Sequence, residues 1–128
     1  MYMRNTVFFL LLLIGKVASF QEDISALVNR DGTITYYGKK RITTKHHDIL
    51  LQLDQFPECA KKLFVRLRPD DDGPPYPWRT ISRKNAFGQK YILGLNVDGG
   101  TVFTFDAKIS PAVSPTCVTR FRGKLEWA

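Results

Sequence analysis

A strict alternation of apolar and polar residues in the last third of the chain constrains the fold more than any other feature of the sequence. The alternation runs over residues 91–97, stops at the turn sequence Asp98-Gly99-Gly100, and resumes over 102–109. After the turn, one face carries Phe103, Phe105, Ala107 and Ile109. Alternation on both sides of an Asp-Gly turn predicts a β-hairpin whose phenylalanine face lies in the core.

Other short segments also have the composition of strands and are bounded by glycine or proline. They cover residues 33–37, 63–67, 78–82 and 117–127. A proline-rich stretch over 69–77 separates two of them and is predicted to be an exposed loop. The sequence therefore predicts a single, mainly antiparallel β-sandwich or squashed barrel of about six or seven strands.

The segment 44–63 has two interpretations, because its apolar residues fit both the spacing of a strand and that of a helix. Pro57 forbids one smooth helix but suits the first turn of a new one. We expect a strand from His47 to Leu53 and one short helix from Pro57 to Lys62. The alternative is an α+β roll, in which a kinked helix over 44–63 lies on an antiparallel sheet.

The beginning of the chain has the pattern of a cleavable signal peptide. Arg4 precedes an apolar run over 7–14, and the small residue Ser19 ends the segment. Eight apolar residues at about 1.5 Å each cover only about 12 Å of a hydrocarbon core of about 30 Å, so the run is too short to span a membrane. We expect residues 1–19 to be removed and 20–128 to form a single β-rich secreted domain, extracellular, or periplasmic in a bacterium.

Cys59 and Cys117 are the only cysteines, and export would place them in an oxidising compartment. We expect them to form one disulfide, since no third cysteine competes. The bond would close a loop of 58 residues (117 − 59) and stabilise the fold by about 4 kcal/mol on the chain-entropy model.

The chain is basic, with a formal charge of +7 that becomes +5 (7 − 2) once Arg4 and Lys16 are removed. Four of its cations are bunched behind two tyrosines, and these are Lys39, Lys40, Arg41 and Lys45. Such a cluster could bind an anionic partner, for which we expect an extracellular protein or an anionic glycan. Nucleic acid is a further possibility that no recognition motif supports. The alternative is an edge strand kept charged to prevent pairing between sheets.

Tyr76 and Trp78 lie on the proline-rich segment, where a stiffened backbone could offer both rings to a partner at low entropic cost. The alternative for Trp78 is the first core position of the following strand. We predict an aromatic binding loop at these two residues.

The sequence predicts no catalytic residue, metal site or cofactor. His46 and His47 are the only histidines, and adjacent residues on a strand point to opposite faces. A Gly-x-Ser-x-Gly motif is absent from the sequence. The favoured hypothesis is a small secreted non-enzymatic binding protein, such as an effector or toxin-like module, with a basic and aromatic surface. The alternatives are an inhibitor of a secreted or periplasmic enzyme, using the loop from Asp70 to Trp78, and a small secreted hydrolase such as a nuclease.

Overall fold

The structure, a computed structural model, describes residues 19–71, 73–111 and 114–128. Residues 1–18 of the predicted signal peptide lie outside this part of the chain. The described residues form eight strands: β1 (Phe20–Leu27), β2 (Thr35–Ile42), β3 (His47–Gln55), β4 (Lys62–Pro69), β5 (Arg79–Ser82), β6 (Lys90–Val97), β7 (Val102–Ile109) and β8 (Arg120–Trp127). They make two four-stranded antiparallel sheets that pack as a sandwich, which confirms the predicted fold class.

The strands pair in a nested order. Sheet A has the order β1-β8-β3-β6, and sheet B has the order β2-β7-β4-β5. The first strand therefore pairs with the last, the second with the seventh, the third with the sixth and the fourth with the fifth. This arrangement is a jelly roll, in which one long antiparallel hairpin is rolled up so that successive pairs lie in opposite sheets.

The core lies between the two sheets and is built mainly by the inner faces of β3, β4, β7 and β8. The largest fully buried side chains there are Phe103, Phe121, Ile49, Leu51, Leu63 and Leu67. Aromatic rings meet edge-to-face within it, as in the pair Phe103 and Trp127, whose centroids are 5.8 Å apart. The prediction that the phenylalanine face of β7 lies in the core is confirmed.

The predicted hairpin at Asp98-Gly99-Gly100 is wrong. β6 pairs with β3, and β7 pairs with β2 and β4, so this turn carries the chain from sheet A to sheet B. The turn is instead fastened to the β2–β3 connection: the hydroxyl of Thr43 donates to the Asp98 carbonyl at 2.7 Å, and the Gly100 N–H donates to the Thr43 carbonyl at 2.7 Å. These long-range bonds replace the hairpin that the local pattern indicated.

The predicted helix from Pro57 to Lys62 is also wrong, and so is the α+β roll. Cys59 adopts a left-handed backbone conformation with φ of 63°, which no α-helix accommodates. Its neighbour Glu58 donates its backbone N–H to the Val118 carbonyl at 3.0 Å, outside any helix. The described part of the chain contains no α-helix, and its lone 3-10 turn lies at Arg83–Asn85.

The predicted disulfide between Cys59 and Cys117 is present, with 6.1 Å between the two Cα atoms. It joins the β3–β4 connection to the β7–β8 connection. The bond therefore fastens two connections between the sheets that are distant in sequence.

Among the described residues, no helix is long and apolar enough to cross a membrane.

No local pattern in the sequence predicted β1. Its inner face carries Ile24 and Ala26, but Glu22 occupies the preceding position of that face and interrupts the apolar pattern. β1 is the edge strand of sheet A and pairs along its whole length with β8. The partner strand, rather than the apolar content of β1 itself, determines that this segment is a strand.

Gly123→Ala should destabilise the protein strongly. Gly123 lies in β8, where a Cβ atom would stand 2.2 Å from the carbonyl oxygen of Gln52 and 3.1 Å from the Leu53 Cα. These are backbone atoms, so no side-chain rotation relieves the clash, and we expect a loss of about 1–3 kcal/mol. Gly38→Ala is the matched control, because a Cβ there meets nothing within 4 Å. Urea denaturation should show the control within about 0.5 kcal/mol of the unsubstituted protein; equal midpoints for both variants would contradict the prediction.

Candidate functional site

A cluster of charged and aromatic side chains covers the outer face of sheet B. Alternation along β4 and β7 directs one set of side chains into the core and the intervening set, which is mostly polar, outward. We call the outward set the sheet B face, which comprises Tyr36, Phe64, Arg66, Arg68, Trp78, Asp106 and Lys108.

Asp106 is the centre of the sheet B face. Its carboxylate is only 1% exposed, although it projects from the outer side of the sheet. Arg66 donates to it through Nε at 2.9 Å, Arg68 donates through Nε at 2.9 Å, and the Arg68 Nη2 forms an ion pair with the same carboxylate at 2.7 Å. The hydrogen bond to Asp106 raises the pKa of the Arg68 guanidinium. One buried carboxylate therefore holds two charged guanidinium groups in fixed positions.

Aromatic rings lie against these cations on both sides. The guanidinium carbon of Arg66 is 4.2 Å from the centre of the Trp78 ring, and the Lys108 Nζ is 4.6 Å from it. On the other side, the guanidinium carbon of Arg68 is 5.1 Å from the centre of the Tyr36 ring. These distances permit cation–π attraction, which fixes the rings as well as the cations. Tyr36 remains 63% exposed, and Trp78 is half-buried.

The structure separates the two members of the predicted aromatic loop. Trp78 lies on the outer face of sheet B, just before β5. Tyr76 instead packs against the core, where its Cε2 is 3.4 Å from the position of a Cβ on Gly94, and its N–H donates to the Leu67 carbonyl at 2.9 Å. The loop therefore contributes one ring to the surface and uses the other to close the sandwich.

The predicted basic cluster does not form one open patch. Lys39, Lys40 and Arg41 lie on β2, the edge strand of sheet B, where the register shifts between Tyr37 and Arg41. Lys39 and Arg41 both pair with Glu22, and Lys40 pairs with Asp70 at 2.8 Å. The fourth member, Lys45, lies apart on the β2–β3 connection. Three of the four cations thus have carboxylate partners within the chain.

Arg41 is a structural residue. Its side chain is 6% exposed, its Nε donates to Glu22, and its Nη1 donates to the Lys39 carbonyl at 3.1 Å. Partial burial raises the pKa of Glu22, but the hydrogen bonds from Lys39 and Arg41 outweigh this effect and lower the pKa below its ordinary value. The pair joins β1 of sheet A to β2 of sheet B at one open side of the sandwich.

The two histidines occupy exposed positions and have different partners. His46 Nδ1 lies 3.1 Å from an Asp98 carboxylate oxygen, and His47 Nδ1 lies 2.8 Å from the Asp48 carbonyl oxygen. Within residues 19–71, 73–111 and 114–128, no group of three or more His, Cys, Asp or Glu side chains could hold a metal ion. The two rings therefore contact separate partners, one carboxylate and one backbone carbonyl.

The residues of the face that the sequence did not single out as a site are Arg66, Arg68, Asp106 and Lys108, whereas Tyr36 was noted only as a ring beside the basic cluster. Each was visible as an outward residue of a predicted strand or as a strand-forming residue. Their clustering depends on the pairing of β4 with β7 and of β7 with β2, which places Arg66 and Tyr36 on either side of Asp106. The sequence contained no signal for that pairing.

Comparison with known proteins identified no family. No protein-family model matches the chain, and no curated protein matches it. Among solved structures, it is similar to a chain in the structure of infectious bursal disease virus, Gx strain, with a TM-score of 0.38 and 11% sequence identity. The similarity covers 84% of this chain and 30% of the viral one. A similarity of this size establishes neither a shared fold nor a shared function.

Glu22→Gln should make the stability of the protein less dependent on pH. Because the folded state lowers the pKa of Glu22 from 4.5, its ionised form contributes stability above about pH 4.5, and this is lost as the pH falls through the folded pKa. The substitution leaves Arg41 buried without an anion, so we expect a loss of about 1–2 kcal/mol at pH 7 that shrinks below about pH 4.5.

Denaturant unfolding at several pH values would measure this loss. Asp70→Asn is the control, since the pair that Asp70 forms with Lys40 is exposed on both sides and should contribute at most about 1 kcal/mol. A Glu22→Gln loss that stayed constant down to pH 3 would show that the charge of Glu22 is not the cause.

Proposed function

We propose that this protein is a small secreted, non-enzymatic binding protein, such as an effector or a toxin-like module. In this proposal it binds an extracellular partner through the sheet B face. The observation that carries the proposal is the fixed position of Arg66 and Arg68 on the buried carboxylate of Asp106, with Trp78 and Tyr36 on either side. Secretion is supported by the leader pattern, and a structural disulfide suits an oxidising compartment.

The composition of the sheet B face suits binding. Tryptophan, tyrosine and arginine are the residues most enriched among those that dominate binding energy at interfaces. Here their side chains are held in place before a partner arrives, so association would cost less conformational entropy. Three cations, Arg66, Arg68 and Lys108, stand against the single carboxylate of Asp106, which favours an anionic partner.

The basic cluster on β2 has less support as the binding site. Its members Lys39 and Lys40 already pair with Glu22 and Asp70, and a partner would have to displace those carboxylates. The cluster also lies on an edge strand, where charge protects against pairing with another sheet. We therefore place the anionic contact on the outer face of sheet B rather than on its edge.

The two alternative functions also have less support. An inhibitor that plugs a cleft with the loop from Asp70 to Trp78 would need both aromatic rings at its tip, and Tyr76 packs against the core. A nuclease would need a reacting group near His46 or His47, and the partners of those rings are one carboxylate and one backbone carbonyl.

Retention on heparin-agarose should depend on the sheet B face. The double variant Trp78→Ala/Lys108→Gln removes one ring and one cation from it, and we expect elution at about half the NaCl concentration that the unsubstituted protein requires. The matched control, Phe87→Ala/Lys124→Gln, removes an exposed ring and a cation elsewhere and should elute unchanged. Lys39→Gln/Lys40→Gln should have a small effect, because both lysines are paired. A larger shift from that variant than from the face variant would overturn the placement of the site.

A further inference from the structure

We infer that the sheet B face binds a short acidic saccharide, whose sugar rings carry carboxylate or sulfate groups, rather than a folded protein. This inference rests on the proposed function, because it assigns a ligand class to the same face. Three properties of the face support it: the order of groups across the sheet, the area of the face, and the hydrogen-bond donors that remain on it.

Rings and charges alternate along one line across sheet B. From β2 to β5 the order is Tyr36, the Arg68–Asp106–Arg66 cluster, then Trp78. Strands lie about 4.8 Å apart, so the backbones of β2 and β5 are separated by about three spacings, or roughly 14 Å, and the two rings extend from these ends towards the cluster. A ligand that matches this line must itself have ring surfaces at its ends and negative charge between them.

An acidic saccharide has this arrangement, because its charged groups are attached to the rings themselves. The C–H groups on one side of a sugar ring can pack on an aromatic face, which carries negative charge. In single-stranded nucleic acid, by contrast, the charges follow the backbone and the bases extend away from it, so a cation and the ring that it packs against would have to contact different parts of the ligand. The sheet B face intermixes the two and favours the saccharide.

The area of the face also favours a small ligand. Along β4, the stretch from Phe64 to Arg68 covers roughly 14 Å at about 3.4 Å per residue, so the face measures about 200 Å². A stable protein–protein interface buries about 800 Å² on each partner. A flat platform of about a quarter of that size is adequate for a few sugar rings and too small for a stable contact with a folded protein.

The two arginines keep donors for such a ligand. Arg66 contacts Asp106 through Nε, and Arg68 does so through Nε and Nη2, whereas a guanidinium carries five N–H donors. Among the described residues, the Nη1 groups of both have no hydrogen-bond partner. A carboxylate or sulfate can accept a two-point hydrogen bond from a guanidinium, and the Lys108 ammonium adds a third positive charge beside Trp78.

Calorimetric titration with four oligomers, each of four units, tests the inference. The probes are a sulfated heparin-derived tetrasaccharide, tetragalacturonate, neutral cellotetraose and the oligonucleotide of four thymidines. We expect at least one acidic tetrasaccharide to bind at least about tenfold more tightly than cellotetraose and the oligonucleotide. The two acidic probes distinguish sulfate from carboxylate recognition.

Variants show whether the rings take part. Trp78→Ala should weaken binding of the acidic tetrasaccharide about tenfold, and Trp78→Phe should restore most of the affinity, since a flat ring is what the contact needs. Phe87→Ala is the control with an exposed ring outside the face and should bind as the unsubstituted protein does. Equal losses for Trp78→Phe and Trp78→Ala would show that ring stacking is not involved and would overturn the inference.

Failure of the inference can be told from failure of the proposed function. If no tetrasaccharide binds, or if the oligonucleotide binds as well as the acidic probes, the saccharide assignment is wrong. Retention on heparin-agarose that still depends on the sheet B face would then leave the binding module standing. If retention does not depend on that face either, both proposals fall.

Discussion

The carboxylate of Asp106 is the constraint on which both the fold and the binding face depend. Removing a charge from water costs several kcal/mol, so a carboxylate that is 1% exposed must have cations close by. Both come from β4, as Arg66 and Arg68. A slip of one residue between β4 and β7 would turn the arginines into the core and Val65 or Leu67 out of it. The ion cluster and the hydrophobic pattern therefore specify the same register.

The nested strand order leaves two open sides, where an edge strand of one sheet faces an edge strand of the other. Tyr37 and the Glu22–Arg41 pair close the side between β1 and β2, and the Tyr37 hydroxyl donates to the Leu27 carbonyl at 2.6 Å. Tyr76 closes the side between β5 and β6, where Gly94 leaves room for its ring. Residues whose types suggest surface binding thus fill the gaps of a small sandwich. On the outer face of sheet B, by contrast, tyrosine, tryptophan and arginine side chains do not fill a gap between the sheets, and they remain available for binding.

How much the sequence could predict follows from the distance over which each interaction acts. Alternation is local, and it identified the fold class and the strands β3, β4, β5, β6, β7 and β8. Pairing is not local: the Asp98 turn has the composition of a hairpin, but bonds from Thr43 fasten it to another connection. The helix expected at Pro57 fails for a similar reason, since the backbone at Cys59 is shaped by its bond to a residue 58 positions away. The binding face needs contact between Arg66 and Asp106, 40 positions apart, and no pattern in either strand indicates that contact.

A buried carboxylate in the middle of a cationic face cancels one positive charge, which by itself opposes anion binding. The magnitudes indicate the opposite. An exposed ion pair contributes at most about 1 kcal/mol, so one cancelled charge costs a partner little. Ordering a long side chain on binding costs about 0.5–1.5 kcal/mol, and Asp106 has already ordered both Arg66 and Arg68, which corresponds to about 1–3 kcal/mol. The face therefore gains more from fixed geometry than it loses in charge. Lys39 and Lys40 are the opposite case. They belong to a dense cluster of cations in the sequence, but Glu22 and Asp70 already neutralise their charges, so little of that charge is available to a partner.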